Sequence, residues 1–163
     1  MIEYPADPVG GFPSPPRSIV DGEAREIRLR RLRADDRLAE MYAEFSPKDR
    51  AQGIPPASKT AIRSWLEKLR RPECLNLVAV HDALVGHAVL VPDGDGGFEL
   101  GRKPPRCGKR SRRSTGIDRI WLTVEHWNDP ALALYERVGF EPVDTEQFEL
   151  TMALRLPDSG DPG

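Results

Sequence analysis

A mixed α/β fold, an α+β sheet with a few covering helices, is predicted by three features of the sequence. Short Val- and Leu-rich runs with period-two alternation, such as Leu75 to Val80 and Leu84 to Val91, read as strands. Apolar residues at i, i+3, i+4 and i+7 mark amphipathic helices at Leu38, Met41, Tyr42 and Phe45 and again at Ile62, Trp65, Leu66 and Leu69. A chain of 163 residues with 39% hydrophobic residues can bury one good core and is short for two.

The first 24 residues read as an extended or disordered leader, because Met1 to Glu23 holds five prolines, three glycines and little apolar periodicity. The folded domain is expected over 25–156. It opens with a strand in which Ile27 and Leu29 alternate with Arg28 and Arg30. Asp35 and Asp36 offer an N-cap to the first helix, and Pro47 ends it. Ile54-Pro55-Pro56 makes a rigid turn, after which Ser58 caps the second helix. A hairpin turning at His81-Asp82-Ala83 follows, then an Asp- and Gly-rich turn, Pro92 to Gly97, and a short strand at Phe98-Glu99-Leu100. Ile117 to Val124 is a strand, Asn128 to Val138 a helix, and Phe140 to Asp144 and Gln147 to Leu156 two more strands. Residues 157–163 should fray.

Charge and cysteines narrow the function. The chain has 24 Lys and Arg against 26 Asp and Glu, and seven of the basic residues fall in Arg102 to Arg113, which carries no acidic residue. The rest is acidic, which argues against a general nucleic-acid-binding surface. Cys74 and Cys107 fit neither a disulfide framework nor a zinc site, and no apolar run approaches the roughly 20 residues that span a bilayer. The chain opens without a basic n-region and apolar h-region, so a cytoplasmic location is expected, with no membrane partner. His81, His87 and His126 show no His-x-x-x-His spacing, and no metal is expected.

The segment Asn128-Asp-Pro-Ala-Leu-Ala-Leu-Tyr-Glu-Arg-Val-Gly-Phe140 is the most telling. Asn128 is a good N-cap, Pro130 suits a first turn, Gly139 supplies a left-handed stop, and Leu134 and Val138 are spaced to face the sheet. On spacing alone Tyr135 is a packing residue with its hydroxyl near the surface.

Strand, capped helix, glycine stop and strand here resemble the C-terminal signature of the GNAT acyl-CoA N-acyltransferases, and the element order matches that family over roughly Arg25 to Leu156. The resemblance implies a GNAT-like fold, shortened between the Phe98–Leu100 strand and the next. It also implies an N-acetyltransferase moving an acetyl group from acetyl-CoA, as co-substrate, to a primary amine by direct attack. Tyr135 then corresponds to the general acid, since a phenol of pKa about 10 can protonate a departing thiolate of pKa near 8.5. Glu99 loosely matches a general base found on this strand in some members, although an outward polar residue in a Phe-Glu-Leu alternation is the better explanation of the two. Asn128, Leu100, Leu122, Thr123 and Val124 correspond to the positions that hold the CoA arm. The partners implied are acetyl-CoA and an amine acceptor, and the resemblance admits a homodimer. In the family the acceptor lies near the first two helices, so Asp49 to Pro56 would shape its pocket.

One departure stands out. Where the family carries a Gly-rich loop and helix for the CoA pyrophosphate, this chain has the basic stretch within Gly101 to Thr115, with Pro104-Pro105 and a lone Gly108. Three readings follow: a shortened loop using arginines, a basic insertion for a polyanion, or a stretch of altered reading frame, which the change of composition at both edges favours. Two functions therefore rival catalysis. One is a catalytically silent GNAT-like binding module; the other is a weak polyanion binder acting through Arg102, Lys103, Arg106, Lys109, Arg110, Arg112 and Arg113.

Overall fold

The structure, a computed structural model, describes residues 1–10, 15–49, 55–101 and 116–157. The seven basic residues of 102–113, Cys107, most of the expected acceptor segment 49–56 and the tail 158–163 lie outside them. The chain forms two compact units, one on Pro13–Val91 and one on Met1–Phe12, Pro92–Gly101 and the C-terminal part of the chain.

The first unit has four antiparallel strands in the order β1 (Arg17–Val20), β2 (Glu26–Arg31), β3 (Leu75–His81) and β4 (Ala83–Pro92). Within the stretch read as leader, β1 pairs with β2 from Arg17 opposite Leu29 to Val20 opposite Glu26, although all four of its residues are exposed. Asp82 turns the β3–β4 hairpin alone at φ +57°, a left-handed conformation that a short polar side chain tolerates.

Helices α1 (Leu38–Ala43) and α2 (Lys59–Leu69) complete this unit. Leu38, Tyr42, Ile62, Trp65, Leu66 and Leu69 pack with Val78, Val89 and Val91 into its core, the two apolar stripes meeting as their spacing implies. Ser58 caps α2 as expected, its Oγ accepting the Ala61 N–H at 3.1 Å. The expected cap of α1 is corrected: Arg37 stands at the N-cap with no side-chain hydrogen bond, because the Asp36 carboxylate is engaged by Arg30 and by the Arg33 N–H. Phe45 lies beyond the helix but still packs on the core.

The second unit orders its strands β5 (Phe98–Leu100), β6 (Arg119–Glu125), β8 (Glu149–Arg155), β7 (Glu141–Thr145), with α3 (Asp129–Val138) between β6 and β7 in sequence. The strands β6, β8 and β7 are antiparallel neighbours, whereas β5 and β6 run parallel. Alternation in β6 buries Ile120, Leu122 and Val124, which join Phe140, Met152 and Leu154 in the core. The N-terminal arm is tied on: Val9 N–H donates to the Arg155 carbonyl at 2.9 Å, and Arg155 Nη1 donates to the Ala6 carbonyl at 3.0 Å. Helix α3 departs from expectation. It has no buried residue, and Leu134 and Val138, expected to face the sheet, are 50% and 36% exposed.

Candidate active site

The parallel β5–β6 contact is brief. Phe98 pairs with Ile120 and Glu99 with Trp121, and there the ladder stops. On its other edge β6 is fully paired, Leu122 with Met152, Thr123 with Thr151 and Val124 with Leu150. Among the described residues, therefore, the β5-facing edge of β6 has no strand partner beyond Trp121. Leu100 follows the last pair on β5. The side chains of Leu122 and Val124 are committed to the core, so these residues can offer a ligand only backbone groups, while Thr123 is half-buried.

Register places Glu99 on the same sheet face as Trp121. That face carries a polar cluster the sequence reading missed. The Trp121 Nε1–H donates to Asp93 Oδ2 at 3.0 Å, and Asp93 Oδ1 accepts the N–H groups of Asp95 and Gly97 at 2.8 and 3.0 Å, which folds the 93–97 turn around one carboxylate. A Cβ on Gly97 would collide with the Tyr4 hydroxyl, so any larger residue there would displace the Tyr4 side chain. Burial, and then the charge of Asp93, push the Tyr4 phenol well above its ordinary range, and the Arg119 guanidinium sits 5.6 Å from the Tyr4 ring centre. Only the clustering of Asp and Gly in 92–97 hinted at this arrangement; nothing local ties Tyr4 to it.

Helix α3 positions the other two candidates. Asn128 is its N-cap, with Oδ1 accepting the Ala131 N–H at 3.4 Å, and Pro130 lies in the first turn. At the far end the Tyr135 carbonyl accepts from both Gly139 (3.1 Å) and Phe140 (3.0 Å), and Gly139 takes φ +108°. Tyr135 is half-buried, its ring 5.7 Å from that of Phe140. Tyr135 lies seven positions after Asn128, so they stand on one side of α3 about two turns, roughly 10 Å, apart. Glu99 and Tyr135 thus come from different elements of the same unit, β5 and α3. Among the described residues no group of three or more His, Cys, Asp or Glu could hold a metal ion, and no helix is long and apolar enough to cross a membrane.

Solved structures share this fold. The GNAT domain of Streptomyces lividans PAT superposes with a TM-score of 0.62 at 16% identity, covering 86% of this chain and 96% of that one. The chain has the GNAT acyltransferase fold. The PaiA N-acetyltransferase of Thermoplasma acidophilum, solved with coenzyme A, gives a TM-score of 0.55 at 19% identity over 79% of this chain and 98% of its own. In sequence, a stretch of 65 residues is 42% identical to the mycothiol acetyltransferase of Saccharomonospora viridis. That stretch is 38% of this GNAT-fold chain and 21% of the relative, so about a fifth of the relative's length is spanned. Among protein-family models, none matches.

Proposed function

We propose that this chain is an acetyl-CoA-dependent N-acetyltransferase that acylates a primary amine by direct attack. The observation that carries the reading is the parallel β5–β6 pair, which closes for two residue pairs and then, among the described residues, leaves one edge of β6 without a strand partner. An extended pantetheine arm can hydrogen-bond to such an edge as a strand would, with Leu100 and Leu122 to Val124 supplying backbone groups and Asn128 meeting the arm at the start of α3.

The chemistry assigns two side chains. Glu99 takes a proton from the incoming ammonium, directly or through water, and frees the nitrogen lone pair. The amine nitrogen then bonds to the thioester carbonyl carbon, and collapse of the tetrahedral intermediate breaks the carbon–sulfur bond. The Tyr135 phenol delivers its proton to the departing sulfur, giving free CoA thiol and the amide.

Free-thiol release measured with acetyl-CoA and a panel of amines tests this. Turnover should fall roughly 10²-fold in Tyr135→Phe, the usual scale for losing a general acid. Unchanged turnover would remove Tyr135 from the chemistry. No thiol release above background with any amine would instead support the silent binding module, a reading favoured by the absence of a Gly-x-Gly pattern between Gly101 and Gly116.

A further inference from the structure

Two turns of the second unit, 125–129 and 144–149, meet beside the end of the β6–β8 pair. His126 joins them twice: its backbone N–H donates to the Phe148 carbonyl at 3.2 Å, and its ring Nε2 hydrogen-bonds to the Glu146 carbonyl at 2.8 Å. The second turn is closed by the Glu146 N–H on the Glu149 carbonyl at 2.8 Å. On this braced platform Trp127 and Phe148 stand in solvent, 63% and 58% exposed, with ring centres 6.5 Å apart at 67°.

Large aromatic side chains gain little for folding when they are this exposed, and a paired, exposed set marks a contact surface. The surroundings say what kind. The same two turns hold five carboxylates, Glu125, Asp129, Asp144, Glu146 and Glu149, and no lysine or arginine. Glu125 and Glu149 are directly opposed across β6 and β8.

We propose that the Trp127–Phe148 surface docks an arginine-rich extended segment of another polypeptide. A guanidinium can lie over an aromatic face while its N–H groups fork onto a carboxylate, and it is weakly hydrated, so it loses little in doing both. An ammonium is a strongly hydrated point charge and gains less from the rings. A neutral apolar partner would desolvate the carboxylates without pairing them, and nucleic acid or an anionic membrane would be repelled. This docking is independent of the acetyl-transfer reading, because it uses none of the residues assigned to that chemistry.

The test is a titration at low salt with a peptide of Arg-Gly-Ser repeats, reading tryptophan emission. Trp65 is buried and Trp121 is hydrogen-bonded to Asp93, so the difference between the native protein and Trp127→Phe isolates the exposed indole. The peptide should change that difference signal. Affinity should drop roughly tenfold when Trp127→Ala and Phe148→Ala are combined, and should drop also in Glu125→Gln with Glu146→Gln. A Lys-Gly-Ser peptide of equal length should bind more weakly. An unchanged Trp127 signal, undiminished binding to the double-alanine protein with a native circular dichroism spectrum, or equal binding of the lysine peptide would each overturn the proposal.

Discussion

The rings of Tyr135 and Phe140 pack edge to face, 5.7 Å apart at 63°, across the C-terminal cap of α3. Phe140 N–H donates to the Tyr135 carbonyl and Gly139 N–H to the Glu136 carbonyl, the paired bonds of a Schellman ending, whose usual companion is an apolar contact between these same two positions. The phenol offered as the proton donor is therefore held by the helix stop that follows it. Its packing and its chemistry should separate on mutation. Tyr135→Ala, which deletes the ring, should cost about 1–2 kcal/mol in urea unfolding, while Tyr135→Phe should stay within about 0.5 kcal/mol of the native protein. Equal losses for both would mean that the hydroxyl, and not the ring, braces the cap.

Gly139→Ala is expected to destabilise by about 1–3 kcal/mol. Two causes act together: the residue adopts φ +108°, and a Cβ there would come within 2.6 Å of Val9 Cγ1 in the N-terminal arm. Val9→Gly should recover the steric share of that cost and leave the conformational share. A thermal-denaturation cycle with the two single variants and the double variant reads the coupling. Strict additivity would show that Val9 does not press on the cap of α3.

Much of this architecture was legible because it rests on local signals. The stripes of α1 and α2, the Ser58 cap and the Asn128-to-Gly139 ends of α3 are each set by residues within a few positions of one another. The failures share a cause: a partner distant in sequence overrode a local rule. Asp36 reads as a helix cap but is drawn to Arg30 on the preceding strand. Leu134 and Val138 have sheet-facing spacing, yet their helix buries no residue, and periodicity cannot report whether a stripe finds a partner. In the candidate site, motif and alternation single out Tyr135, Asn128 and Glu99 as the residues to test. The Asp93, Trp121 and Tyr4 cluster was not legible, because it joins residues 4, 93 and 121 by contacts that leave no periodic trace.

Arg30 and Asp36 form a two-pronged pair, Nη1 to Oδ2 and Nη2 to Oδ1 at 2.7 Å each, with side chains only 15% and 9% exposed. The guanidinium hydrogen bonds hold the Asp36 carboxyl down at about 2, against the opposing effect of burial. Because its folded pKa lies below the unfolded value, the stability it contributes is present above about pH 3.8 and is lost as pH falls toward 2. Asp36→Asn should therefore cost about 2–4 kcal/mol at pH 7, with the gap to the native protein closing in acid. Arg30→Lys should also be destabilising, since one ammonium cannot span both oxygens. A urea midpoint for Asp36→Asn equal to the native value at pH 7 would refute the assignment.

His87 provides a second acid-sensitive element, in a separate pH window. The Asn76 amide nitrogen donates to the Leu69 carbonyl at 2.7 Å, which leaves Asn76 Oδ1 as the acceptor for His87 Nε2–H at 2.8 Å. With that proton fixed on Nε2, Nδ1 is the acceptor, and the Tyr42 hydroxyl donates to it at 2.8 Å. This set of donors and acceptors fits neutral imidazole. A proton on Nδ1 would turn the Tyr42 hydroxyl from donor to acceptor and place a charge in a largely buried site, with the cation on Arg70 adding repulsion. Burial first, and then Arg70, lower the His87 pKa to about 4 from its usual 6.5. The unfolded chain thus binds the proton more readily, so this contribution is whole above about pH 6.5 and is lost as pH falls toward 4. The full loss is at most about 3 kcal/mol, taking 1.36 kcal/mol per pH unit. Urea midpoints for the native protein should fall across that window. His87→Gln, which cannot titrate, should start lower at pH 7 and stay nearly level down to pH 4. An equal fall in the variant would assign the acid sensitivity to groups other than His87.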